Sequence, residues 1–183
     1  YEQGAFAQLS GLVAQTVMGD FGILQPSQLV GLIKPDDEHF VRTRLLCLEN
    51  THNRGSGRIQ PYDLVEEICQ SAHDTGLMTH LDGARLFNAV AASQISAEQW
   101  AQHFDTVSVC FSKGLGAPVG SALAGTKEMI QEARQNKQPR PPISHYHVAG
   151  RQQSGARQGH QQRERRDVIG PHRASYQRAN QNA

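Results

Sequence analysis

No apolar run in this chain of 183 residues approaches the length of about 20 needed to cross a bilayer, which argues against an integral membrane protein. Nor does a signal-type apolar segment open it. Cysteine is scarce: Cys47, Cys69 and Cys110 stand apart in apolar surroundings without CxxC spacing, so a reduced, cytoplasmic setting is expected rather than a disulfide framework. The hydrophobic share, 38%, is low for a packed enzyme. Much of that shortage falls in residues 138–183, which contain no Leu, no Phe and no Lys.

That segment holds eight Gln, four Pro, eight Arg and two acids, for a net charge of 8 − 2 = +6, against 10 − 15 = −5 for residues 1–137. The overall +1 is therefore a cancellation between unlike parts. Without a sustained apolar period, 138–183 cannot bury enough surface to offset its ordering entropy, and disorder is expected. His145 and His147 in it have no acidic or thiol companion, so no metal site is expected. Its arginines lack interleaved aromatics, which makes nucleic acid a poor partner.

Residues 1–137 follow another grammar. Apolar spacing predicts a helix from Gly4 to Met18, a short one from Pro26 through Ile33, and a longer one opening at Pro61 and closing at Gly76. Further helices are expected over Arg85–Ala92, over Ser96–His103 with Ser96 as N-cap, and from Thr126 to Asn136. The run TRLLCLE, 43–49, reads as a buried strand. Leu77–Asp82, Thr106–Phe111 and Ser121–Ala124 read as three more. Strands alternating with helices imply an α/β fold, a mainly parallel sheet flanked by helices.

In such sheets ligands bind beyond the carboxyl ends of the strands. One strand here ends LDGAR and another FSKG, bringing Asp82, Arg85 and, 31 residues after Asp82, Lys113 toward one crevice. A carboxylate, a guanidinium and an amine together suit an anionic cofactor with a basic ring nitrogen and a carbonyl that condenses with an amine. Pyridoxal phosphate has that chemistry. The glycines of GLGAPVG open no helix and precede no GK[ST], so they read as backbone room beside a bulky ligand rather than a phosphate loop. Taken alone, Asp82 is as well explained as a turn residue, and Lys113 as a solvated loop lysine.

The stretches LCLENTHNRGSGRI, HLDGARLFNAV and VSVCFSKGLGAPVGSALAG resemble consecutive motifs of the threonine aldolase family, and YEQGAFAQLSG and DDEHFVRTRLL extend the resemblance across 1–137. The resemblance implies a partial large domain of the aspartate-aminotransferase-like, fold type I architecture. It implies a pyridoxal phosphate lyase splitting L-threonine or L-allo-threonine into glycine and acetaldehyde. Lys113 would hold the cofactor covalently, Asp82 would face its ring nitrogen, and Arg85 would meet its oxygen side or the substrate carboxylate. His39 would stand near the substrate β-hydroxyl as base or orienting group, with Asn50 and His52 as weaker crevice residues. Related enzymes assemble as dimers or tetramers.

Two departures qualify that reading. The family's phosphate-receiving Ser-Gly-Thr type loop and its ring-stacking histidine have no counterpart in the chain and are expected upstream of Tyr1. Beyond Lys137 the family's basic sequence and small C-terminal domain give way to the Gln/Arg-rich segment, which is expected to be coding sequence read out of frame. Translating the encoding nucleotides in the other two frames tests this; no aldolase-like continuation there would sink it. The alternatives are a noncatalytic remnant or interaction protein with a basic tail, and another fold type I lyase of the β-eliminating kind.

Overall fold

In the computed structural model, residues 2–136 are described; the expectations placed on 138–183, including those for His145 and His147, lie outside them. The chain forms a 3-10 turn at Glu2–Gly4, a helix α1 (Ala5–Ser10), a second 3-10 turn at Pro26–Leu29, then β1 (Leu45–Glu49), α2 (Tyr62–Asp74), β2 (Met78–Asp82), α3 (Leu86–Ser93), α4 (Ala97–Ala101), β3 (Thr106–Cys110), β4 (Ser121–Gly125) and α5 (Lys127–Asn136). The strands lie in the order β1-β2-β3-β4, the first three parallel and β4 antiparallel to β3. None of the described helices is long and apolar enough to cross a membrane.

Local chemistry explains the best-formed elements. The α2 helix ends in paired closing bonds: the Leu77 amide donates to Ala72 O and the Gly76 amide to His73 O, both at 2.9 Å, with Gly76 at φ 76°. Only a glycine takes that left-handed turn without strain, and it feeds the chain directly into β2. Ser96 caps α4 in a reciprocal box with Gln99, its hydroxyl accepting from the Gln99 amide at 3.1 Å. The Thr126 hydroxyl accepts from the Met129 amide and starts α5.

Strand order decides where the helices go. Stepping β1 to β2 to β3 in one direction with right-handed crossovers places α2, α3 and α4 on one face of the sheet. Leu48, Leu81 and Val107 point to that face and pack with Val65, Ile68 and Cys69 of α2, Leu86 of α3 and Trp100 of α4. Trp100 is fully buried, its ring edge-on to Tyr62 at 5.1 Å, and truncating such a residue removes about 3–5 kcal/mol. Below this core, Thr79, Asp105 and His73 form a polar clip. The Thr79 amide donates to Asp105 Oδ2 at 2.7 Å and its hydroxyl at 3.0 Å, while His73 Nε2 reaches the same oxygen at 3.2 Å.

Several expectations are corrected. The helix over 4–18 stops at Ser10: Gly11 turns left-handed at φ 63°, and residues 11–19 carry no helix. Leu12, Val13 and Met18 are exposed, so the apolar period there has no packing surface to sustain a helix. The segment after Pro26 forms only one 3-10 turn, secured by reciprocal bonds between Gln25 and Gln28. The first strand is a partly exposed edge strand rather than a buried one, with Leu45 and Cys47 on a face that no described helix covers.

Candidate functional site

Register alignment puts Glu49 beside Asp82 and Asp82 beside Ser108, so β1, β2 and β3 deliver their carboxyl ends to one edge of the sheet. Asp82 ends β2 with an exposed side chain whose Oδ1 accepts the Ala84 amide at 3.0 Å, a turn that swings the chain into α3. Gly83 makes the turn possible. A Cβ there would lie 2.8 Å from Ser108 O and 3.1 Å from Leu86 Cβ, so only glycine lets the backbone pass this close to β3. Arg85 stands at the start of α3, half-buried, with its carbonyl accepting the Asn88 amide at 3.0 Å.

β3 runs to Cys110 and opens a loop that presents Lys113 with its side chain exposed. Backbone bonds hold that loop: Phe111 N–H to Gly120 O at 2.9 Å, Ala117 N–H to Phe111 O at 2.9 Å, and Gly116 N–H to Lys113 O at 3.0 Å. Gly114 sits so close to the Asn88 side chain of α3 that any Cβ would collide with it. The lysine is therefore carried on a loop closed by backbone bonds, with Gly114 lying against the Asn88 side chain of the helix that follows Asp82.

Asn50, one residue past β1, is 1% exposed, and neither Oδ1 nor Nδ2 has a hydrogen-bond partner among the described residues. Its backbone amide donates to Asp82 O at 3.0 Å. Thr51 beside it is also buried. His52 serves the loop that follows: its Nδ1 accepts the Gly55 amide at 2.9 Å, which leaves the proton on Nε2, 3.6 Å from Glu49 Oε2. Gly22 packs directly against its ring. His39 is 81% exposed in the loop entering the amino end of β1, where its amide donates to Asp37 Oδ1 at 2.8 Å and its ring lies 3.7 Å from Glu38. Its described contacts stay within that loop, whereas Asp82, Asn50 and the Lys113 loop gather at the other end of the strands.

Two neighbours of these residues escaped the sequence reading. His80 precedes Asp82 by two residues and so shares its face of β2, which strand alternation in HLDGAR could have revealed. Its Nδ1 lies 2.8 Å from Thr106 Oγ1; burial pushes the imidazole below its ordinary pKa, outweighing the Asp82 charge and the Thr106 contact. A neutral His80 leaves the Asp82 charge free to act on a cation. Asn88 is the other, and FNAV offered no signal that it would brace Gly114. Although Cys47 is exposed at the surface, partial desolvation by its strand neighbours raises its thiol above the ordinary value, and the Asp82 charge adds to the effect.

The residues present fit the ring and carbonyl end of pyridoxal phosphate: an exposed carboxylate for the ring nitrogen, an exposed amine for the carbonyl carbon, and amide atoms of Asn50 with no partner among the described residues. An open cleft of about 460 Å³ lies elsewhere, lined by Gly125, Lys127, Ile130, Gln131 and Arg134, none of them a residue of this site.

The beta-eliminating lyase family profile matches residues 1–140. The low specificity L-threonine aldolase of Escherichia coli K12 is 40% identical over 134 residues, covering 73% of this chain and 39% of that protein. The probable low-specificity L-threonine aldolase 2 of Arabidopsis thaliana is 37% identical over 137 residues, with the same two coverages of 73% and 39%. Among solved structures, a putative L-allo-threonine aldolase from Listeria monocytogenes superposes with a TM-score of 0.65 at 30% identity, over 75% of this chain and 36% of that one. The chain thus spans about two fifths of the length of these relatives. The fold is the one the motifs implied, part of a fold type I large domain.

Proposed function

The chain belongs to the beta-eliminating lyase family, as a segment of the threonine aldolase kind, and on that premise we propose that it carries the cofactor-lysine portion of a pyridoxal phosphate lyase site. In a complete site the reaction would be the splitting of L-threonine or L-allo-threonine into glycine and acetaldehyde. The observation that carries this reading is the delivery of Asp82 and of the Lys113 loop to one edge of the sheet by two adjacent parallel strands.

When bound, the cofactor supplies an electron sink for cleavage between the α and β carbons. The chain's part is to hold and polarise. Lys113 Nζ would hold the cofactor covalently and supply an amine beside the reacting carbon to take or return a proton. Asp82 would keep a proton on the ring nitrogen, helped by a His80 that does not compete for its charge. Arg85 would meet the cofactor's oxygen side or the substrate carboxylate, and Asn50 would offer its amide to the same oxygen atoms. His39 enters as the group beside the β-hydroxyl only if its loop folds over the crevice. A general base there is worth about 100-fold to 10,000-fold in rate. His52 is assigned to shaping the loop rather than to chemistry, on its bonds to Gly55 and Glu49.

The test is to add pyridoxal phosphate, reduce with borohydride and map the modified peptide. Label at Lys113, lost in Lys113→Ala, is the expected result, and absence of label anywhere overturns the assignment for this chain. Release of acetaldehyde from threonine separates aldol cleavage from β-elimination. A label without turnover would mark the chain as a cofactor-binding remnant.

A further inference from the structure

We propose that His80 is a positioning residue for Asp82: held across the β2–β3 pair by the Thr106 hydroxyl, it takes up a proton only at the expense of the carboxylate's hold on a cation. Resting on the reading of Asp82 as partner of the cofactor's ring nitrogen, this makes His80 the group that limits that partnership in acid.

Register sets the side chains in two rows. Glu49, Asp82 and Ser108 stand abreast at the carboxyl edge of the first three strands, and Cys47, His80 and Thr106 stand abreast two residues deeper. Leu48, Leu81 and Val107 pack with the helices, so alternation turns both rows to the opposite face. The titratable groups facing the imidazole are therefore Cys47 and Glu49 from β1 and Asp82 from β2 itself; β3 presents the hydroxyls of Thr106 and Ser108. His80 and Asp82 are about 6.6 Å apart along the strand, inside the screening length of about 8 Å at physiological salt.

His80 Nδ1 lies 2.8 Å from Thr106 Oγ1. With Nδ1–H donating to that oxygen, the neutral ring carries its proton on Nδ1 and its lone pair on Nε2. Burial opposes a second proton, and it outweighs both the Thr106 contact and the pull of the Asp82 charge, which favour one. The pull of Asp82 has a necessary converse. Coupling between two sites is reciprocal, so whatever factor the carboxylate adds to the proton affinity of His80, a proton on His80 removes from the carboxylate's affinity for a cation. A ring cation docked on Asp82 should thus depress the imidazole further, and acid should loosen the cofactor.

The test uses the full chain with nitrogen-15 in its histidine rings, read by NMR first without ligand. At neutral pH His80 should be uncharged and protonated on Nδ1. Asp82→Asn, an exposed and nearly isosteric change, should lower its titration midpoint, by about 0.7 pH unit for a fivefold coupling. Thr106→Val should lower the midpoint and release the fixed tautomer, and Thr106→Ser should restore both. Adding pyridoxal phosphate should lower the midpoint of the parent chain. Its affinity for the parent, followed by absorbance, should fall about fivefold more than for His80→Gln as pH drops through that midpoint. A His80 protonated on Nε2, or one that titrates identically in the parent, Asp82→Asn and Thr106→Val, overturns the proposal. Equal pH dependence of cofactor affinity in the parent and His80→Gln overturns it as well. If His80→Gln misfolds, the Asp82→Asn titration decides. A chain that takes up no pyridoxal phosphate at any pH refutes the cofactor reading instead, and the ligand-free titrations still decide whether Asp82 and His80 are coupled.

Discussion

The amide of Asn50 donates to the carbonyl of Asp82 across 3.0 Å, so the first residue beyond β1 is latched to the last residue of β2 while its own side chain stays buried with both polar atoms unpartnered among the described residues. Each such orphaned group costs about 1–3 kcal/mol. Asn50→Leu, close in volume and free of that cost, should raise the unfolding free energy by about 1 kcal/mol or more in a urea titration, since the latch is made by the backbone. The same variant should bind pyridoxal phosphate more weakly, read by absorbance. A less stable variant would mean that the amide is satisfied within the chain.

Gly83 is the tightest point between Asp82 and β3. Gly83→Ala must push either Ser108 or the start of α3 aside, since the new carbon would sit 2.8 Å from Ser108 O. The expected loss is about 1–3 kcal/mol of stability, together with loss of borohydride labelling at Lys113. Unchanged thermal unfolding would show that the turn is looser than described.

The clip under the core predicts an acid-sensitive stability. Burial alone would raise the Asp105 carboxyl, but hydrogen bonds from the Thr79 amide and hydroxyl and from His73 outweigh it and hold it below the ordinary aspartate range. A carboxyl lowered by folding contributes stability above its unfolded pKa, and that contribution is lost as pH falls through the folded one. Asp105→Asn should therefore cost about 1–3 kcal/mol near neutral pH, and its gap to the parent chain should close in acid. Urea midpoints measured across that range decide the matter; a pH-independent gap would assign the loss to packing.

The cysteines report on the charge of Asp82. Cys69, buried in α2 beside Asp105, has its thiol pushed up to about 12, and should resist iodoacetamide in the folded chain. Cys47 is held up first by partial desolvation and then by Asp82. Asp82→Asn should lower the Cys47 thiol and speed its alkylation at a fixed, mildly alkaline pH. Equal rates in the two proteins would show that the carboxylate does not act across the strand pair.

From β1 to β3 the elements were legible because several signals coincided. α2 combined an apolar stripe with Gly76 at its end, and α4 had Ser96 three residues before Gln99. The failures lay where one signal stood alone. The apolar stripe from Gly4 to Met18 had helical spacing but nothing to pack on, and Gly11 ended it early. TRLLCLE promised burial, yet burial depends on which face the crossovers cover, a property of strand order rather than of the segment. At the candidate site, Asp82 and Lys113 drew notice because charges at the ends of apolar strands stand out. His80 and Asn88 did not, since one needed the face of the strand and the other the path of the loop beyond β3 that carries Gly114. Asn50 was read as a weak candidate, and only its lack of partners gives it weight.

Because the three crossover helices all lie on one side of the sheet, alternate residues of β2 belong to different experiments. Thr79 and Leu81 turn toward the helices, and changing them should be felt in denaturation curves. Met78, His80 and Asp82 turn the other way, and changes there should be felt in what the chain can hold. Within five consecutive residues, the parity of the position tells an experimenter whether to reach first for urea or for a ligand.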